Sequence, residues 1–240
     1  PAHDNEISSL SLLPWPLSTL LGLTTGFPVY PKPPYCNVKG LSKLGAYALQ
    51  GMMKRGMLIE IDHMSAKAAG QTLGILEAAH YPGVISGHSW VDPTYYPRIY
   101  KLGGFVASYG FPADAFAGEW RRNLADRRAA GIYGYGYGLD ANGLGGLPAP
   151  RANNAANPVV YPFTGLTGEP LDRLVTGGRA WDINVDGVAN YGLVPDWIED
   201  MRKVAGEDIV DEMAAGAEAY LRTWESAMSC AAGSSCAGSR

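Results

Sequence analysis

Between Leu41 and Asp140 the apolar positions switch repeatedly from helical spacing to short continuous runs. "LSKLGAYALQGMMKRG" (41–56) carries its apolar residues at helical intervals, starts with a Ser cap and stops at Gly56. "MLIEID" (57–62) follows as a buried-strand run. Ser65 then caps "AKAAGQTLGILEAAH" (66–80), which leads into the strand run "YPGVISGHS" (81–89). A third unit joins the short helix "YPRIYKLGG" (96–104) to the strand "GFVASYG" (104–110), and a fourth joins "GEWRRNLADRRAAG" (118–131) to "IYGYGYGLD" (132–140). Four alternations over short connections predict a parallel sheet with helices packed outside it.

The flanks have a different texture. Residues 1–40 are rich in Pro, Leu and Gly, with "PWPLSTLLG" as a short helix and "FPVYPKPPYC" as an extended loop. Residues 141–195 form a loop-rich insertion, and two helices close the chain, "PDWIEDMRKVAG" (195–206) and "EDIVDEMAAGAEAYLRTWESAM" (207–228). The domain reading is a single unit over 1–240: a lead-in (1–40), β/α units (41–140), the insertion (141–195) and C-terminal helices (196–228).

Composition narrows the classes. A formal charge of −4 with scattered Lys and Arg offers no basic stripe, so nucleic acid is not an expected partner. No apolar run approaches the ~18 residues of a membrane span. The N-terminal segment "PAHDNEISSL" has neither the charged nor the apolar region of a signal peptide. Cys36, Cys230 and Cys236 fit no metal spacing; either Cys230 and Cys236 close a small tail disulfide and favour an oxidising compartment, or all three are free thiols.

In parallel α/β sheets, ligands gather at the C-terminal strand ends. His63, His88 and Asp140 take that position on the first, second and fourth strands, and imidazole with carboxylate suits Zn²⁺. A lone histidine there is more often a hydrogen-bonded core residue, but two on consecutive strands with a later Asp favour a metal. Strand parity groups Met57, Ile59 and Ile61 with His63, and Gly134, Gly136 and Gly138 with Asp140. Glycine on that face is expected to leave room for a ligand, while Tyr133, Tyr135 and Tyr137 pack outward. His80 ends a helix and reads as structural; His3 is assigned nothing. "DINVDG" (182–187) matches the first half of a calcium loop through Asp182, Asn184 and Asp186, although position twelve is Leu193; Asx-turn hydrogen bonding is the competing role.

The segments "GLSKLGAYALQGMMKRGMLIEIDHMS", "YPGVISGHSW" and "YGYGLDANG" resemble the membrane dipeptidase (renal dipeptidase) family of the metal-dependent amidohydrolase superfamily. "CNVKGL", "WDINVDGVANYGLVPDWIEDMRKVAG" and "GAEAYLRTWE" resemble its bacterial branch, and the likeness runs over nearly all of residues 1–230. It implies a (β/α)8 TIM barrel with one or two Zn²⁺ ions that hydrolyses amide bonds, typically in a dipeptide. His63 matches the family's metal-binding histidine after strand five and His88 the one after strand six. Asp140 matches the aspartate after strand eight that contacts metal or water and handles the proton. Arg98 falls near the arginine that holds the substrate carboxylate, in a different local sequence.

The family's first metal-binding pair and its bridging Glu have no counterpart before residue 40; His3 and Asp4 lack a preceding strand. Four strands where a barrel needs eight make the chain look like the C-terminal part of one, able to hold at most one ion alone. A half-barrel exposes strand edges, which implies a homo-oligomer or the missing half as partner. Two functions of different class therefore stand: a dipeptidase-like metallohydrolase when complemented, or a non-catalytic half-barrel that binds a ligand or partner; a third keeps the fold but changes the bond, since related barrels also cleave lactones and phosphoesters. Secretion or a periplasmic location is suggested by the resemblance and the cysteines, with a cytoplasmic location as the alternative.

Overall fold

The computed structural model describes residues 16–25, 37–141, 147–232 and 236. Cys36, His3 and Asp4 lie outside them. After helix α1 (Leu17–Thr25), the chain runs α2 (Lys43–Met53), β1 (Ile59–Glu60), α3 (Ala66–Ala78), β2 (Val84–Ser86), α4 (Tyr96–Leu102), β3 (Phe105–Tyr109), α5 (Ala113–Ala129) and β4 (Gly136–Gly138). The four strands form one parallel sheet in the order β1-β2-β3-β4. This is a mixed α/β fold with a four-strand parallel sheet, as the alternating pattern predicts.

Local chemistry sets the helix ends. Ser42 Oγ accepts from Gly45 N at 3.0 Å, and Ser65 Oγ accepts from Ala68 N at 3.1 Å. Each serine thereby satisfies one of the orphan N–H groups of the first turn. Three of the four helix-to-strand turns pass through a left-handed glycine: Gly56 (φ 67°), Gly103 (φ 86°) and Gly131 (φ 68°). The fourth uses His80 at φ 52°, where His80 N donates to Glu77 O (3.1 Å) and Tyr81 N to Leu76 O (2.9 Å). That is the paired bonding of a Schellman cap with a side chain where glycine is the cheaper residue. His80 is structural, as expected.

Residues paired across the ladder share a face. Ile59 pairs with Val84, and both are buried with Ile61, Val106, Leu73 and Ile99 against α3 and α4. Ile59 and Ile61 thus face the helices, contrary to the parity that groups them with His63. The reason is local: the ladder of β1 ends at Glu60, and His63 has turned to φ 59°. Tyr135 does point outward, as expected, edge-on to Phe116 (5.6 Å) and beneath Arg127 (4.5 Å). Tyr137 packs edge-on against Trp197.

A second core joins α5 to the insertion and to α7 (Val194–Ala205) through Phe116, Trp120, Ile183, Leu193 and Trp197. The insertion carries two hairpins, β5 (Phe163–Thr164) with β6 (Pro170–Leu171) and β7 (Val175–Thr176) with β8 (Arg179–Ala180), then the single turn α6 (Ile183–Asp186). It is fastened by the buried Arg151–Asp200 pair (2.6 Å) and by Tyr161 OH donating to Asp196 (2.5 Å).

The last helical run is not continuous. It divides at Ala215 into α8 (Glu207–Ala214) and α9 (Gly216–Ala231), where Glu212 O accepts from Tyr135 N (2.7 Å) and a Cβ on Gly216 would come within 2.8 Å of Tyr135 O. From there α9 crosses beneath the N-terminal ends of all four strands. Ala219 meets Gly134, Thr223 Oγ1 donates to Gly103 O (3.0 Å), Ala227 meets Gly83 and Met228 meets Gly56. Small residues four apart (Ala219, Thr223, Ala227) give the helix one face flat enough for this approach. Cys230 and Cys236 are joined as a disulfide at its end. The C-terminal strand ends lie at the opposite end of the sheet.

Candidate metal centre

Two of the expected ligands meet. His63, on the turn after β1, and His88, after β2, bring their Nε2 atoms to 2.8 Å, with ring centroids 4.8 Å apart. Behind them stands a residue the sequence reading passed over. Asp62 is buried, and its Oδ2 lies 2.8 Å from His88 Nδ1 and accepts from His88 N at 2.8 Å; its Oδ1 accepts from Ser86 Oγ at 2.5 Å. A carboxylate on Nδ1 fixes the imidazole tautomer that leaves Nε2 as the acceptor. The signal was present in "EIDH": an Asp at the end of an apolar run needs a buried partner.

Glu60 lies beside this group. The residue is exposed, but its carboxyl turns inward to accept from Asp62 N (2.9 Å). Burial of that carboxyl, followed by the neighbouring Asp62 charge, pushes its pKa up to about 7. Trp90 lies parallel to the His88 ring at 6.2 Å and Tyr109 packs on Trp90 at 5.3 Å, so one side of the histidine pair has an aromatic wall.

The other expected ligand does not join them. Asp140 closes β4 at φ 48° and is exposed, in a depression lined by Tyr137, Leu139 and Ala141. Among the described residues no three His, Cys, Asp or Glu side chains are arranged to hold an ion. The glycine face is not free space either. A Cβ at Gly136 would meet the Phe105 ring at 2.4 Å, and one at Gly138 would meet Gly87 O at 2.1 Å and His88 Cβ at 2.9 Å. The missing side chains admit protein rather than ligand: β4 leans directly on the turn that carries His88.

Arg98 is committed elsewhere. It forms a two-point pair with Glu77 of α3 (Nε–Oε1 2.7 Å, Nη2–Oε2 2.7 Å) beside the Tyr95 ring, within the helical layer. It does not reach the histidine pair as a substrate-carboxylate clamp. The three side chains of the calcium-like stretch also have protein partners. Asp182 Oδ2 pairs with Arg173 (2.9 Å), Asp186 Oδ1 with Arg179 (2.5 Å), and Asn184 bonds the Val159 backbone in both directions at 2.9 Å. Asp182 Oδ1 also accepts from Asn184 N at 2.9 Å, the Asx turn that was the alternative. Two guanidinium groups supply the positive charge a calcium ion would bring.

The donor set fits zinc in part. Two imidazole nitrogens ligating one tetrahedral zinc sit roughly 3.3 Å apart, so the rings need part by only about 0.5 Å. A carboxylate behind one of them is the usual outer partner of such a ligand. The pair fills two of four places. Against family models, curated proteins and solved structures, no match to this chain is found.

Proposed function

We propose that this chain carries part of the centre of a metal-dependent hydrolase that cleaves amide bonds in dipeptide-like substrates, with His63 and His88 as zinc ligands. The observation that supports it is the convergence of the two Nε2 atoms with Asp62 behind His88. Zinc, when bound, supplies Lewis acidity and lowers the pKa of a water to about 7. Asp62 holds His88 in one tautomer, and Trp90 with Tyr109 shields one side of the pair from solvent. Asp140, the family-matched proton acceptor, is exposed at the end of β4 and stands apart from the pair in this chain. Further donors come from a second copy or from a segment that completes the barrel at the open edge of β1.

A second reading has its own observation. The filled glycine face and the separation of Asp140 suit a half-barrel that binds without turnover. Release of free amino acids from a panel of dipeptides by the zinc-loaded chain, beside His88→Ala, distinguishes them. Turnover lost in the variant supports the hydrolase; equal background in both supports the binding module.

A further inference from the structure

Beneath the turn that carries His88 lies a buried polar cluster for which the metal centre has no direct use. Ser89 is buried at φ 54°, in the left-handed region that a non-glycine residue enters at a cost. Its Oγ accepts from Tyr109 N at 3.0 Å and donates to Glu119 Oε2 at 3.5 Å. Tyr96 OH sits between Ser89 O (3.3 Å) and Glu119 Oε1 (3.4 Å), so one carboxyl grips the turn from two directions. Ser108, Asn123 and Tyr135 complete the surroundings: Ser108 lies beside Glu119 and Tyr135, and Asn123 beside Tyr135.

Glu119 is 7% exposed and forms no ion pair among the described residues. A buried carboxyl without a cation is expensive, and an apolar residue on α5 would pack there at lower cost. Burial raises its pKa above the usual carboxyl value, and its two oxygens are held by the Ser89 and Tyr96 hydroxyls. What the expense secures is the left-handed turn at Ser89, one residue beyond His88.

We propose that Glu119 is a positioning residue: acting through Ser89 and Tyr96, it fixes the turn that aims His88 Nε2 at His63. The proposal rests on the zinc reading for its functional meaning, but the geometry it predicts exists without metal.

The test uses Glu119→Leu, Glu119→Gln and Ser89→Gly, with two readouts. The first is the His88 tautomer in the metal-free chain, from long-range ¹⁵N–¹H correlation NMR. The second is zinc affinity by calorimetry. Ser89→Gly relieves the backbone strain but strands Tyr109 N, so stability is not the readout; a purely structural role predicts an unchanged His88. The expected result is a single Nδ1-protonated His88 in the wild type and in Glu119→Gln, and mixed tautomers with about tenfold weaker zinc binding in Glu119→Leu and Ser89→Gly. A wild-type His88 tautomer in both of the latter overturns the proposal. If Glu119→Leu does not fold, Ser89→Gly decides alone. If the wild type binds no zinc, the functional reading falls while the tautomer still decides this one.

Discussion

Replacing Gly138 by alanine tests the claim that the bare face of β4 is filled by the protein. The added Cβ would lie 2.1 Å from Gly87 O and 2.9 Å from His88 Cβ. An ordinary carbon–oxygen contact is roughly 3.3 Å, so β4 and the His88 turn must part by about 1 Å. Overpacking against movable side chains costs about 1–3 kcal/mol, and here the neighbour is backbone, so at least about 3 kcal/mol is expected. For a chain of this size that corresponds to a fall in Tm of roughly 6–12 °C. Gly74→Ala is the control: it lies inside α3 with no atom within 4 Å of its Cβ, and should gain about 0.5–1 kcal/mol. Urea unfolding followed by circular dichroism measures both. A Gly138→Ala variant with the wild-type midpoint would refute the reasoning and restore the face as open space for a ligand.

Substitutions at three further positions probe separate parts of the account. His80→Gly removes a side chain from a left-handed cap at φ 52° and should stabilise the chain by about 0.5–1 kcal/mol in the same urea assay. Asp62→Ala strands His88 N and Ser86 Oγ, for a loss of about 2 kcal/mol and a 10–100-fold weaker zinc affinity by calorimetry; Asp62→Asn, which keeps an acceptor, should lose less of both. Glu60 has a folded pKa raised from 4.5 to about 7, so between those values the folded chain holds a proton that the unfolded chain has released, and stability falls as pH rises through that window. Glu60→Gln removes this dependence, and its midpoint relative to wild type should rise from pH 5 to pH 8; a constant difference would contradict the assignment.

The legible parts of the fold were those set by local chemistry. Ser42 and Ser65 announce their helices because a cap needs only its own next turn. The apolar runs of β2 and β3 announce their strands because a buried parallel strand is apolar throughout. Parity failed at His63 because it assumes an unbroken ladder, and β1 has turned before it reaches the histidine. Gly138 shows a second limit: sequence tells that a side chain is missing, not whether solvent or the Gly87 backbone takes its place. The calcium-like loop shows a similar limit, since its spacing is right but Arg173 and Arg179, brought in by the β7–β8 hairpin region, occupy the charges. Asp62 was within reach, because a buried acid beside a histidine asks for a partner, and His88 is the nearest imidazole across the ladder.

The measurement closest to the central claim is zinc content by plasma emission spectrometry after dialysis against trace zinc, on the wild-type chain and on His63→Ala and His88→Ala. The account predicts about one zinc per chain, or per pair of chains if a second copy completes the site, and loss of the metal in both variants. Zinc retained by either variant, or absent from a folded wild-type chain, would contradict the assignment of the facing imidazoles as a metal pair and leave them a hydrogen-bonded pair at the end of the sheet.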